Sequence, residues 1–122
     1  MPARTYWIRE PWIMGVDYIG AVTKEAIEKV MDDCLAQVEK QRIYFLIDTS
    51  TLTSVPKELL KLGPMLKFLH HPNTHWLVFV GIQNPMVSFA IRLLVHKEVK
   101  LFAKRDEALK FLEGMLQVDQ VS

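Results

Sequence analysis

At 122 residues, half of them hydrophobic and with a formal charge of +1, the chain has the size and apolar content of one domain with a buried core, which excludes a disordered segment. It also lacks the basic excess that draws a protein to nucleic acid or to an anionic membrane. The single cysteine excludes an intramolecular disulfide, no apolar run approaches the ~20 residues that span a bilayer, and Met1-Pro2-Ala3-Arg4 leads into no apolar signal core, so a cytoplasmic domain without membrane insertion is expected.

Thr5–Ile8 and Trp12–Ile19 read as two strands around a turn at 9–11, where Pro11 interrupts any continuous ladder. Thr23 is a good N-cap. Behind it Ala26, Ile27, Val30, Met31, Cys34, Leu35 and Val38 recur at spacings of three and four, opposite Lys24, Glu25, Glu28, Lys29, Asp32, Asp33 and Gln37. This is an amphipathic helix lying on a sheet. Cys34 falls on the apolar stripe, where a free thiol acts as a small hydrophobe. It lacks the exposure and activating neighbour of a nucleophile.

Ile43-Tyr44-Phe45-Leu46-Ile47 is an unbroken apolar run ending on Asp48, Thr49 and Ser50. Such runs suit strands covered on both faces, as in parallel sheets flanked by helices. Ligands and partners meet open α/β sheets at the carboxyl ends of the strands, which places Asp48, Thr49, Ser50 and Ser54 on a polar rim. The rim reads either as a contact surface or small anion site, or as ordinary turn and cap chemistry. After the polar segment Thr49–Ser54, Pro56 opens a helix whose apolar residues are Leu59, Leu60, Leu62, Met65, Leu66 and Leu69, with Gly63-Pro64 predicting a kink or a break.

His70-His71-Pro72-Asn73 ends that helix, and Trp76–Gly81 is the next buried strand. Gly81 lets the backbone turn sharply and Asn84 can cap a helix that starts at Pro85. With Gln83 they form a second rim element. No GxGxxG and no GxxxxGK[ST] occurs, so neither common nucleotide cradle is present. The helix from Pro85 to about His96 is apolar on nearly all sides, interrupted by Ser88 and Arg92. It is either a covered core helix or an interface carrying Met86, Phe89, Ile91 and Leu94. Val99–Phe102 is a last short strand. Asp106–Leu116 is a closing helix with Ala108, Leu109, Phe111, Leu112 and Met115 inward, leaving 1–116 as a single domain and 117–122 as a tail.

His70, His71 and His75 do not have the spacing of a zinc motif and lack completing ligands, so neither metal nor cofactor is expected. Trp7, Trp12 and Trp76 fall on strands, as core or as the lining of a pocket or interface. Strands alternating with helices in the order β-β-α-β-α-β-α-β-α predict an α/β domain: a mixed, mostly parallel sheet of four to five strands flanked by about four helices.

Three stretches in this order resemble the STAS domain, the fold of sulfate-transporter cytoplasmic domains and anti-sigma factor antagonists: Gly20-Ala21-Val22-Thr23 leading into Glu25-Ala26-Ile27; Phe45-Leu46-Ile47-Asp48-Thr49-Ser50; and Phe102 followed by Asp106-Glu107-Ala108-Leu109. In the antagonists, Asp-Ser-Ser-Gly at the next helix start carries a phosphorylated serine. The corresponding positions here are Pro56-Lys57-Glu58-Leu59. The resemblance is therefore to the divergent SpoIIAA-like branch, and it implies that fold without the phosphoserine switch. The expected function is a non-enzymatic regulatory or protein-interaction module, with a protein partner or a homodimer. The alternative is an intracellular binder or sensor of an apolar or anionic small molecule. No convergent nucleophile, base and orienting group marks an enzyme.

Overall fold

The computed structural model describes residues 2–57, 67–83, 85–94 and 99–121, with the side chains at 86, 90, 93, 94, 120 and 121 outside that description. Five strands, β1 (Ala3–Arg9), β2 (Ile13–Ala21), β3 (Ile43–Ser54), β4 (Thr74–Val80) and β5 (Val99–Phe102), form one sheet in the order β1-β2-β3-β4-β5. β1 is antiparallel to β2, and every other neighbouring pair is parallel. The helices are α1 (Lys24–Val38), α2 (Pro85–Leu94) and α3 (Arg105–Val121), and residues 67–69 add a helical turn. This is the mixed, mostly parallel α/β sheet that the sequence predicts.

Because strand order follows chain order, all crossovers run in one direction, and right-handed connections put their helices on one face. The core confirms it. On one face Met14, Val16, Ile43, Phe45, Ile47, Leu77 and Phe79 pack with α1, with Phe68 and Leu69, and with Val87 of α2. On the other, Ile13, Tyr44, Leu46, Val78 and Val80 pack with α3, through Ala108, Leu112 and Leu116. The continuous apolar run of β3 is thus explained: alternate residues serve two cores. α1 starts where the capping pattern puts it, with Thr23 Oγ1 accepting from the Ala26 amide at 3.2 Å. Cys34 is fully buried, and burial pushes its thiol up to about 12, helped by nearby Asp33.

Two segments differ from expectation. Thr49–Ser54, anticipated as a polar connection, continues β3 as strand. Ile19, Gly20 and Ala21 of β2 pair with Thr51, Leu52 and Ser54 through register shifts, and β-branched threonines suit such a strand. Polarity suggested a loop; half-exposure at a sheet end is the reason for it. The closing helix, anticipated over Asp106–Leu116, begins at Arg105 and continues through 117–121. There Asp119 Oδ2 lies 3.2 Å from His75 Nε2 of β4. The expected kink at Gly63-Pro64 and the residues Val95 and His96 lie outside the described residues.

Candidate functional site

β4 ends at Val80, opposite Asp48, while β3 runs on to Ser54 along β2, and the expected rim stands at this carboxyl edge. Its groups are largely engaged within the fold. The Asp48 carboxylate accepts from the Ser50 amide at 2.9 Å and from Arg105 Nη1 at 3.2 Å. Burial pushes this carboxyl up, but the Ser50 and Arg105 hydrogen bonds outweigh it, and the net shift is below its ordinary value. Thr49 is buried, and its hydroxyl donates to the Val80 carbonyl at 2.9 Å, fastening β3 to β4. Ser50 and Ser54 are exposed, and the Ser54 carbonyl accepts from the Val22 amide at 3.1 Å. Ser54 is the last residue of β3.

Gly81 has φ +68°, a conformation open to glycine, and a Cβ built there would lie 2.9 Å from Ser50 Cα. This close approach brings the two rim elements together. The Gly81 amide donates to the Phe102 carbonyl at 2.9 Å, tying the turn to β5. Gln83 is exposed, and Asn84 lies outside the described residues. Beside them opens a cleft of about 610 Å³ lined by Gly81, Ile82, Gln83, Pro85, Ser88, Leu101, Phe102 and Ala103. Of the anticipated α2 interface, Phe89 is 56% exposed while Val87 is buried and Ile91 packs against the core. α2 is thus core on one side and open on the other. The side chains of Met86 and Leu94 lie outside the described residues.

Sequence reasoning missed a polar cluster behind the rim. Arg105, the first residue of α3, donates from Nη2 to the Tyr6 hydroxyl at 2.6 Å, and its Nη1 lies 3.6 Å from Asp17 Oδ1. The Tyr6 hydroxyl donates to Asp17 Oδ1 at 2.8 Å, and Arg4 Nε reaches Asp17 Oδ2 at 2.9 Å. Asp17 and Asp48 are register partners on β2 and β3, so two carboxylates share one face and one guanidinium bridges both, with Arg4 as a second cation on Asp17. The Tyr6 ring lies over Gly15, where a Cβ would strike it. The one available signal was Asp17 itself, a charge directly after Ile13–Val16 within the strand Ile13–Ala21.

The histidines have local partners: His71 Nδ1 accepts from the Asn73 amide at 3.1 Å, and His75 stacks against Tyr44 with ring centroids 5.1 Å apart. Among the described residues no group of three or more His, Cys, Asp or Glu is placed to hold a metal, and no helix is long and apolar enough to cross a membrane.

No protein-family model matches the sequence and no curated protein is significantly similar to it. Solved structures share its architecture, among them the following two. An uncharacterized protein of the DUF3478 family with a SpoIIAA-like fold, from Shewanella loihica PV-4, aligns with a TM-score of 0.62 at 19% identity, over 90% of this chain and 91% of that one. The anti-sigma factor antagonist SpoIIAA in its unphosphorylated form aligns with a TM-score of 0.70 at 10% identity, over 92% of this chain and 98% of its own. At such identities the likeness is one of fold: the chain has the SpoIIAA-like fold that its sequence resembles.

Proposed function

We propose that a chain with this SpoIIAA-like fold is a non-enzymatic regulatory and protein-interaction module that self-associates and works without a phosphoserine switch. One observation carries the reading. Asp48 and Thr49 of the rim are turned inward on Arg105, Ser50 and Val80, while apolar side chains beside it face outward: Phe89 at 56% and Leu101 at 50% exposure. Catalysis needs polar groups converging on a substrate, whereas recognition uses exposed apolar anchors. The partner class is protein, and a second copy is the simplest candidate. Pro56-Lys57-Glu58-Leu59 at the antagonists' phosphorylation position supports a switch-free module. A reducing, cytoplasmic setting suits the single buried thiol.

Native mass spectrometry across a dilution series, beside a denatured control, tests this. The expected result is a dimer of clean chain mass that Phe89→Asp converts to a folded monomer. A wild-type monomer at every concentration removes the self-association. A second reading, a small-molecule binder, draws on the cleft of about 610 Å³, within the range of ligand sites. None of its lining residues among those described is charged, which favours an uncharged ligand. Extra mass lost on denaturation would support that reading instead.

A further inference from the structure

We infer that two copies of the chain join edge to edge through β5, in an antiparallel register centred on Leu101, so that two five-stranded sheets become one across a two-fold axis. The inference rests on the self-association proposed above and names its surface. β5 is last in the sheet order, and among the described residues no strand pairs with its outer side. A strand side without a partner strand carries backbone donors and acceptors, the template on which a strand from another chain adds.

The two faces of β5 are unequal. Val99 packs into the core shared with α1 and α2, so Leu101, two residues on, shares that face; it is 50% exposed. Phe102 belongs to the α3 face, where its ring lies 5.7 Å from that of Phe111, and Lys100 Nζ lies 5.7 Å from the Phe111 centroid. Lysine is the usual guard of an edge strand. Here it is folded over an aromatic ring on the α3 face, and the α2 face is left to leucine.

Among centres from Lys100 to Phe102, charge and pleat then select the register. A two-fold axis normal to the sheet keeps each face on its own side, so residues opposite one another must share a face. Centring on Lys100 sets two lysines opposite each other. Centring on Phe102 sets Lys100 opposite Lys104. Like charges directly opposed are destabilising. Centring on Leu101 pairs leucine with leucine and Lys100 with Phe102, with no opposed lysines. α2, the crossover between β4 and β5, lies on the leucine's face, which places the exposed side of Phe89 on the same side of the joined sheets. The contact is isologous and closes at two copies.

Cysteine cross-linking reads the register directly. Opposed antiparallel residues have Cα separations of about 4.5–5.5 Å, within disulfide range. Leu101→Cys should therefore form an intermolecular disulfide on mild oxidation, whereas Lys100→Cys, facing Phe102, should not; the native Cys34 is buried and silent. Leu101→Lys should lose the dimer while keeping the wild-type far-ultraviolet circular dichroism. A wild-type dimer that survives Leu101→Lys and yields no Leu101→Cys cross-link overturns the β5 interface but leaves self-association standing. Equal cross-linking at positions 100 and 101 overturns the register. A wild-type monomer at all concentrations overturns both the interface and the self-association beneath it.

Discussion

Arg105 is the residue on which the carboxyl end of the sheet depends. Its guanidinium answers two carboxylates on adjacent strands and a tyrosine on a third. A cation at a helix N-terminus opposes the helix dipole, and Asp17 and Asp48 offset that cost. The sign of the pH effect follows from Asp48. Its folded pKa lies below the unfolded value, so the carboxylate contributes stability at neutral pH, and this is lost as pH falls from about 4 through the depressed folded value. Asp48→Asn should cost about 1–2 kcal/mol at pH 7. The gap from wild type, followed by urea titration at several pH values, should shrink in acid. Asp48 and Gly81 are legible in the sequence because each directly follows an apolar run. Arg105 is not, because its partners lie 57, 88 and 99 positions away, and no local pattern encodes that pairing.

Among the described helices, α3 fills the core on its face of the sheet, with Ala108, Leu112 and Leu116 buried. It is fastened at both ends, by Arg105 near the start and by Asp119 with His75 near the end. Trp76 and Phe111 add an edge-to-face contact with ring centroids 4.8 Å apart. Leu112→Ala should cost about 2–5 kcal/mol. Val118→Ala, at a position 58% exposed, should stay within about 0.5 kcal/mol; denaturant midpoints separate the two. The inner stripe of α3 is legible from its spacing. Its last turns are not, since Gln117, Val118 and Asp119 have no apolar rhythm and are ordered around a partner on β4. The polar half of β3 hides for a similar reason. Threonine and serine suit a turn and a half-exposed strand equally well, and only pairing with β2 decides between them. α2 reads as apolar all round because sequence cannot tell a buried side from one awaiting a partner.

At the scale of the molecule, two cores share one sheet, and each face of β3 serves one of them. Damage on either face should therefore lower the stability of the whole. Val30→Ala under α1 and Leu112→Ala under α3 should each move a single unfolding transition, with tryptophan fluorescence and far-ultraviolet circular dichroism coincident. A transition that splits by probe would mean that the faces melt separately. The sheet has two ends of different character. β1 carries Arg4 and Arg9, with Arg4 66% exposed at its side chain, and a β1-to-β5 contact would be head-to-tail, the geometry that leads to open filaments. The strand order has one more consequence. Every strand pairs with the one immediately before it in the chain. As the polypeptide leaves the ribosome the N-terminal hairpin can close first, and each later strand arrives to find its docking edge already built. Synthesis and assembly then run in the same direction, and no strand must wait for a distant one to emerge.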